Sequence, residues 1–196
     1  MHVKALCVAW FVCTPLVVFA ADSIPAGWIK AGSHPNEYEV GVDTSIHHGG
    51  RASGYVKATA TDLHGFGTLM QTAGAGDYLG KRVRLSAFVR SERVASGWAG
   101  VWLRVDGARQ GQNQMPVLGF DNMQNRPIKG TTDWTRVEIV LDVPAEAVDL
   151  AFGILLAGDG EVWLDDVKFE VVPLSVPVTG AATRVAGSPS NLDFEK

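Results

Sequence analysis

Between positions 82 and 90 apolar and polar side chains alternate, with Val83, Leu85, Ala87 and Val89 on one parity and Arg82, Arg84, Ser86 and Arg90 on the other. A period of two belongs to a strand with one buried and one wet face. The pattern returns at 98–106, where Ala99, Val101, Leu103 and Val105 form one face and Trp98, Gly100, Trp102, Arg104 and Asp106 the other, and again in Val137, Ile139, Leu141 and Val143. Residues 150–156 are apolar without a break, and the Gly158-Asp159-Gly160 turn after them predicts a buried strand. Trp163, Val167, Phe169 and Val171 share one parity, which predicts a closing strand with Trp163 on the core side. Weaker strands are predicted at 37–42, 52–58 and 65–72. The only helical hint is a single turn at 144–147, and no repeat of solenoid or propeller length is present. Many short strands without intervening helices predict an all-β fold, an antiparallel β-sandwich of the jelly-roll kind.

The two ends of the chain follow other rules. Lys4 precedes an almost wholly apolar stretch at 5–20, small residues stand at Ala20 and Ala21, and the first acid is Asp22. This reads as a signal peptide over 1–21. About 16 apolar residues interrupted by Pro15 are fewer than the roughly 20 of a membrane span, so a secreted or periplasmic protein with no span after cleavage is expected. Cys7 and Cys13 are the only cysteines of the chain, and both fall in this segment. A disulfide, a thiolate metal site and a cysteine nucleophile are thereby excluded from the remainder. The sandwich is assigned to 22–172, an extended linker rich in Pro, Thr, Ala and Gly to 173–190, and a strand-like tail to 191–196.

Charge and motifs narrow the function. A formal net charge of −4 in 196 residues, without a run of like charges, gives no footprint for nucleic acid. Neither Gly-x-Ser-x-Gly nor His-Glu-x-x-His occurs, and Gly74-Ala75-Gly76 lacks the strand-to-helix setting of a phosphate loop. Asp165 and Asp166 are consecutive, so in a regular strand they face opposite sides. A non-catalytic protein is expected, with an unrecognised glycan hydrolase as the third reading. Trp98 and Trp102 stand about 13 Å apart on one strand face, with Gly100 leaving an open floor between them and Arg104 and Asp106 beyond. Flat indoles beside such hydrogen-bonding groups suit a sugar, whose ring has an apolar C–H face and a polar rim. The segment 120–130 supplies further rim candidates, Asp121, Asn122, Gln124, Arg126 and Lys129.

Ile24-Pro25-Ala26-Gly27-Trp28, Tyr38-Glu39-Val40-Gly41-Val42-Asp43, His48-Gly49-Gly50-Arg51-Ala52-Ser53, Trp134 with Val143-Pro144, and Gly160-Glu161-Val162-Trp163-Leu164-Asp165-Asp166-Val167 resemble the galactose-binding-like jelly rolls that include many carbohydrate-binding modules. The stretch from Phe120 to Trp134 also resembles a module appended to some bacterial transcription regulators. The resemblance implies a carbohydrate or other small polar ligand, or alternatively a protein-interaction or sensing role. It further implies one structural Ca2+, held by Asp165 and main-chain oxygens near His47 and Gly49, with Glu195 completing the site. In the resembling modules a segment similar to Asn191-Leu192-Asp193-Phe194-Glu195 opens the domain, so the tail is expected to return along its own sheet. A linker of about 17 residues reaches roughly 55 Å. Filling that position from a neighbouring molecule would give a strand-swapped homodimer.

Overall fold

The computed structural model describes residues 24–109, 111 and 115–180. Its strands are β1 (Ile29–Gly32), β2 (Tyr38–Asp43), β3 (Ser53–Ala58), β4 (Phe66–Gly74), β5 (Lys81–Gly107), β6 (Val117–Asp121), β7 (Ile128–Val143), β8 (Ala147–Ala157) and β9 (Glu161–Val172), with single 3-10 turns at Pro35–Glu37 and Gly76–Tyr78. The stretch 1–21 expected to be a signal peptide, both cysteines, the tail at 191–196 and Glu195 lie outside the described residues.

One antiparallel ladder, β1-β4-β8-β5-β9-β3-β2 with β6 and β7 also on β5, runs through the fold. It folds over at β5. The first half of β5 pairs with β7 and β9, and the second half, from Trp98 to Gly107, pairs with β8, with β6 on its other edge. The alternation at 82–90 and 98–106 predicts two strands, whereas the chain makes one strand of 27 residues that turns a corner. Register slips between Ser91, Val94 and Ala99, together with a φ of 54° at Arg93, supply the extra residues that let it change layers. The result is a sandwich with a front layer β1-β4-β8-β5-β6 and a back layer β2-β3-β9-β5-β7.

Inward-facing side chains fill the space between the layers. Leu69, Leu103, Ile154 and Leu156 come from the front, and Val56, Val83, Leu85 and Ile139 from the back, all essentially inaccessible. Full burial of each such side chain contributes about 1.5–3 kcal/mol. Aromatic rings bridge the layers: Trp28 meets Phe152 edge-on at 5.7 Å, and Phe152 meets Phe169 at 4.8 Å. No helix among the described residues is long and apolar enough to cross a membrane.

The closing strand departs from the parity reading. Phe88 stands opposite Asp165 and Ser86 opposite Lys168, so β9 carries one extra residue at a bulge where Asp166 takes a φ of 49°. Val162 and Leu164 therefore face the core before the bulge, and Val167 and Phe169 after it. Trp163 is buried but on the outer side of the back layer, where its Nε1–H donates to Asp43 Oδ2 at 2.9 Å and Arg90 lies over its ring. The same bulge turns both aspartates to one turn. Asp165 Oδ2 accepts the amides of His48 (2.7 Å) and Gly49 (3.0 Å), Asp165 Oδ1 accepts the Asp166 amide (2.7 Å), and Asp166 Oδ2 meets His48 Nδ1 at 2.7 Å.

Of the calcium arrangement that the resemblance implies, Asp165 is engaged by main-chain N–H groups, and Glu195 lies outside the described residues. The main chain turns the N–H groups of His48 and Gly49 toward Asp165, and His47 is exposed in the same turn. No group of three or more His, Cys, Asp or Glu side chains among the described residues is placed to hold a metal. Asp165 instead ties the 47–49 turn to β9. Asp165→Ala should lower stability by about 0.5–1.5 kcal/mol, since the exposed and half-buried amides of His48 and Gly49 lose their acceptor but can turn to water. Thermal melts in calcium and in chelator check this, and the loss should be the same in both.

Residues 173–180, the start of the stretch expected as an extended linker, lie against the sandwich. Arg82 Nη1 donates to the carbonyls of Leu174 (2.7 Å) and Val176 (2.6 Å), and the Thr179 amide donates to Val140 O at 3.0 Å.

Candidate ligand-binding groove

The outer side of the front layer holds a groove of about 500 Å3. Its floor follows from parity and register. With Val101 and Leu103 turned to the core, Trp98, Trp102 and Arg104 must point outward, and the partners directly across on β8 are small, namely Ala157, Gly153 and Ala151. Small neighbours leave room for large rings. Trp102 uses it by lying flat across β8, so that its Nε1–H reaches Thr68 Oγ1 on β4 at 2.9 Å while Thr68 Oγ1 donates to Ile154 O at 2.7 Å. The indole packs with Ala151 and Leu155, and Met70, Trp98 and Ala157 border this patch.

Trp102 is therefore a floor, only 7% exposed, and not the upright platform that strand spacing alone suggests. Trp98 is half-buried. Gly100 is not an open floor either: a Cβ there would lie 2.8 Å from Asn122 O and 3.2 Å from Met123 Cβ, so the 121–126 loop covers it. The exposed apolar surface at the groove walls comes from Phe66 on β4 (37% exposed) and Phe120 on β6 (46%). Phe66 falls in register with Ala157 and so with Trp98, and Phe120 stands opposite Arg104. Six residues of strand separate Trp98 from Arg104, so the groove runs about 20 Å along β5.

Polar groups are few and placed at the edges. Arg104 Nε donates to both carboxylate oxygens of Asp106, at 2.9 and 3.0 Å, while Asp106 itself is buried. Asn122 lines the groove, its Oδ1 accepting the Gln124 amide at 3.1 Å. Ser33 lies at the β1 end and accepts the Phe66 amide.

The other rim candidates do different work. Asp121 stands opposite Leu103, hence on the inward side of β6, and is 6% exposed. It accepts Arg126 Nη2 at 2.7 Å and Nη1 at 3.2 Å, the Met123 amide at 2.9 Å and the Thr179 hydroxyl at 2.7 Å. Burial would raise its carboxyl, but these hydrogen bonds outweigh it and hold the group below the ordinary carboxylate range. Arg126 also donates to Glu138 O, so the pair Asp121 and Arg126 is an internal tie. Gln124 is exposed and, with Phe120 and Asn122, borders a second recess of about 470 Å3. Lys129 is exposed on β7 and lines neither. Sequence reasoning missed Phe66 and Phe120, although Phe120 is the one aromatic of the polar 120–130 segment.

No family model matches the chain. It is 46% identical over 173 residues, 87% of its own length, to the uncharacterized HTH-type transcriptional regulator YbfP of Bacillus subtilis (strain 168), and spans 57% of that protein. Among solved structures, a family 30 carbohydrate-binding module superposes with a TM-score of 0.54 at 18% identity, over 77% of this chain and 95% of that one. A xylan-binding domain from CBM 22 gives 0.50 at 15%, over 78% and 94%. The chain thus has the β-sandwich fold of carbohydrate-binding modules.

Proposed function

We propose that this chain is an exported, non-catalytic module that binds a carbohydrate-type ligand in the front-layer groove. The observation that carries the reading is the groove itself: a 500 Å3 trough floored by Trp102 and bordered by Trp98, Phe66 and Phe120, on a fold shared with carbohydrate-binding modules. Apolar rings beside a few fixed polar groups suit the C–H face and hydroxyl rim of a sugar. Glycoside hydrolysis takes two carboxyl groups flanking the scissile bond, and the described residues lining the groove include none. The apolar segment at 5–20 supports export; intact mass of the exported protein should place its first residue near Ala21 or Asp22, and retention of residues 1–20 would contradict this.

The test is titration of the purified protein with neutral oligosaccharides, followed by tryptophan fluorescence and calorimetry. Saturable binding is expected, weakened about tenfold or more in Trp98→Ala as a half-buried aromatic contact is lost. No response to any glycan would overturn the reading. A second reading, a sensing or protein-interaction module, is favoured by the identity to a transcription regulator; retention of a specific protein partner in the absence of any glycan response would support it.

A further inference from the structure

We propose that Arg104, held by Asp106, makes the groove selective for uncharged ligands that present two neighbouring hydroxyl groups, an inference that rests on the carbohydrate reading above. Arg104 is the one ionisable side chain among the described residues lining the groove. Its Nε is committed to both oxygens of Asp106, whose side chain is 4% exposed against 42% for that of Arg104. The cation facing the groove is thus balanced by a carboxylate buried behind it. Asp149 stands directly opposite Asp106 in the β5–β8 register, so a second carboxylate residue is placed at this end of the strand pair. A carboxylate, sulfate or phosphate entering this end meets no net attraction, and it must give up its hydration to do so.

Neutral hydroxyl groups carry no such cost. Among the described residues nothing takes Nη1 or Nη2 of Arg104, and the Asp106 contact at Nε fixes the plane of the guanidinium. Two parallel N–H groups in a rigid fork match two acceptor oxygens side by side, as on adjacent carbons of a sugar ring. The ring's C–H face then lies toward Phe120, which stands opposite Arg104. The ligand class is a neutral glycan with a free vicinal diol, and uronic, sulfated or phosphorylated sugars are rejected.

The experiment is calorimetric titration of the purified protein with xylohexaose and a neutral galacto-oligosaccharide, against oligogalacturonate and a glucuronic-acid-substituted xylo-oligosaccharide. Neutral chains should bind about tenfold or more tighter than acidic ones, and their affinity should change less than about twofold between roughly 50 and 500 mM salt. Asp106→Asn, which leaves Arg104 uncompensated, should raise affinity for the acidic chains about fivefold or more and make it salt-sensitive, whereas Arg104→Lys should weaken neutral binding about tenfold through loss of the fork. Acidic chains binding the unmodified protein as tightly as neutral ones would overturn the proposal while leaving the carbohydrate reading in place. Binding of neither kind would overturn both. If Asp106→Asn does not fold, the salt series on the unmodified protein decides, and a tenfold loss of neutral-chain affinity with salt counts against the proposal.

Discussion

Asp121→Ala should destabilise the protein by about 3 kcal/mol, because removing one partner of a buried ion pair leaves the other uncompensated. Arg126 would keep only Glu138 O and Asn125 Oδ1 as acceptors, and the Met123 amide and Thr179 hydroxyl would lose theirs. Arg126 is 32% exposed, so water recovers part of the loss and the low end of the usual 3–5 kcal/mol range applies. For a domain of this size the melting temperature should fall by about 6–12 °C. The loss is structural at three places at once: Asp121 joins β6, the 121–126 loop and the docked 173–180 segment. The same carboxylate sets an acid limit. Its folded-state pKa is depressed, so its contribution is complete above the unfolded value of about 3.9 and disappears as pH falls through the lower folded value. Denaturant unfolding of wild type and Asp121→Ala from neutral pH down to about pH 2 should show the two converging only in acid, below about pH 4.

Trp102→Ala should remove ligand binding and cost about 3–5 kcal/mol, the usual range for truncating a buried large aromatic. The indole fills the space above Gly153 and ties β5 to β4 through Thr68, so its loss opens the groove floor and unpins two strands together. Trp102→Phe separates the contributions. An aromatic ring is kept, though a smaller one, the N–H is lost, and Thr68 still has Ile154 O as its partner, so about 1–3 kcal/mol is expected with binding only weakened. Equal loss of stability in the two variants would show that the hydrogen bond, and not the packed ring, holds the floor.

The sandwich is legible in the alternation at 82–90, 98–106 and 137–143, because a half-buried strand imposes a period of two that no turn or helix imitates over seven residues. β1 and β6 are not legible: four and five residues at the sheet edges, without alternation, carry too little pattern. The placement of Trp163 shows a different limit. Parity counting is sound only while the strand is regular, and the extra residue at Asp166 exchanges the two faces, sending Val167 and Phe169 inward although they share parity with Trp163. No local signal marks that bulge. The groove was half readable. Parity placed Trp98, Trp102 and Arg104 on one outer face, but that Trp102 would lie flat depends on Gly153 and Thr68 from two other strands. For Asp121 and Arg126 the residue types suggested a polar rim, and the register against Leu103 turned the carboxylate inward, where it found partners instead of solvent. Phe66 and Phe120 become groove walls only when β4 and β6 border the same face, a fact of topology that no stretch of sequence contains.

Whether the front-layer groove, and no other surface, receives a sugar is tested most directly by the indole N–H signals of the protein in a 1H–15N correlation spectrum. During titration with a neutral oligosaccharide such as xylohexaose, the Trp98 signal should move progressively and saturably, with a smaller change at Trp102, whose N–H stays on Thr68. Trp163, bonded to Asp43 on the back layer, and Trp134, edge-on to His48 there, should remain still. Saturable shifts at Trp163 or Trp134 with Trp98 unmoved, or no shift at any indole with every neutral glycan tried, would contradict the account.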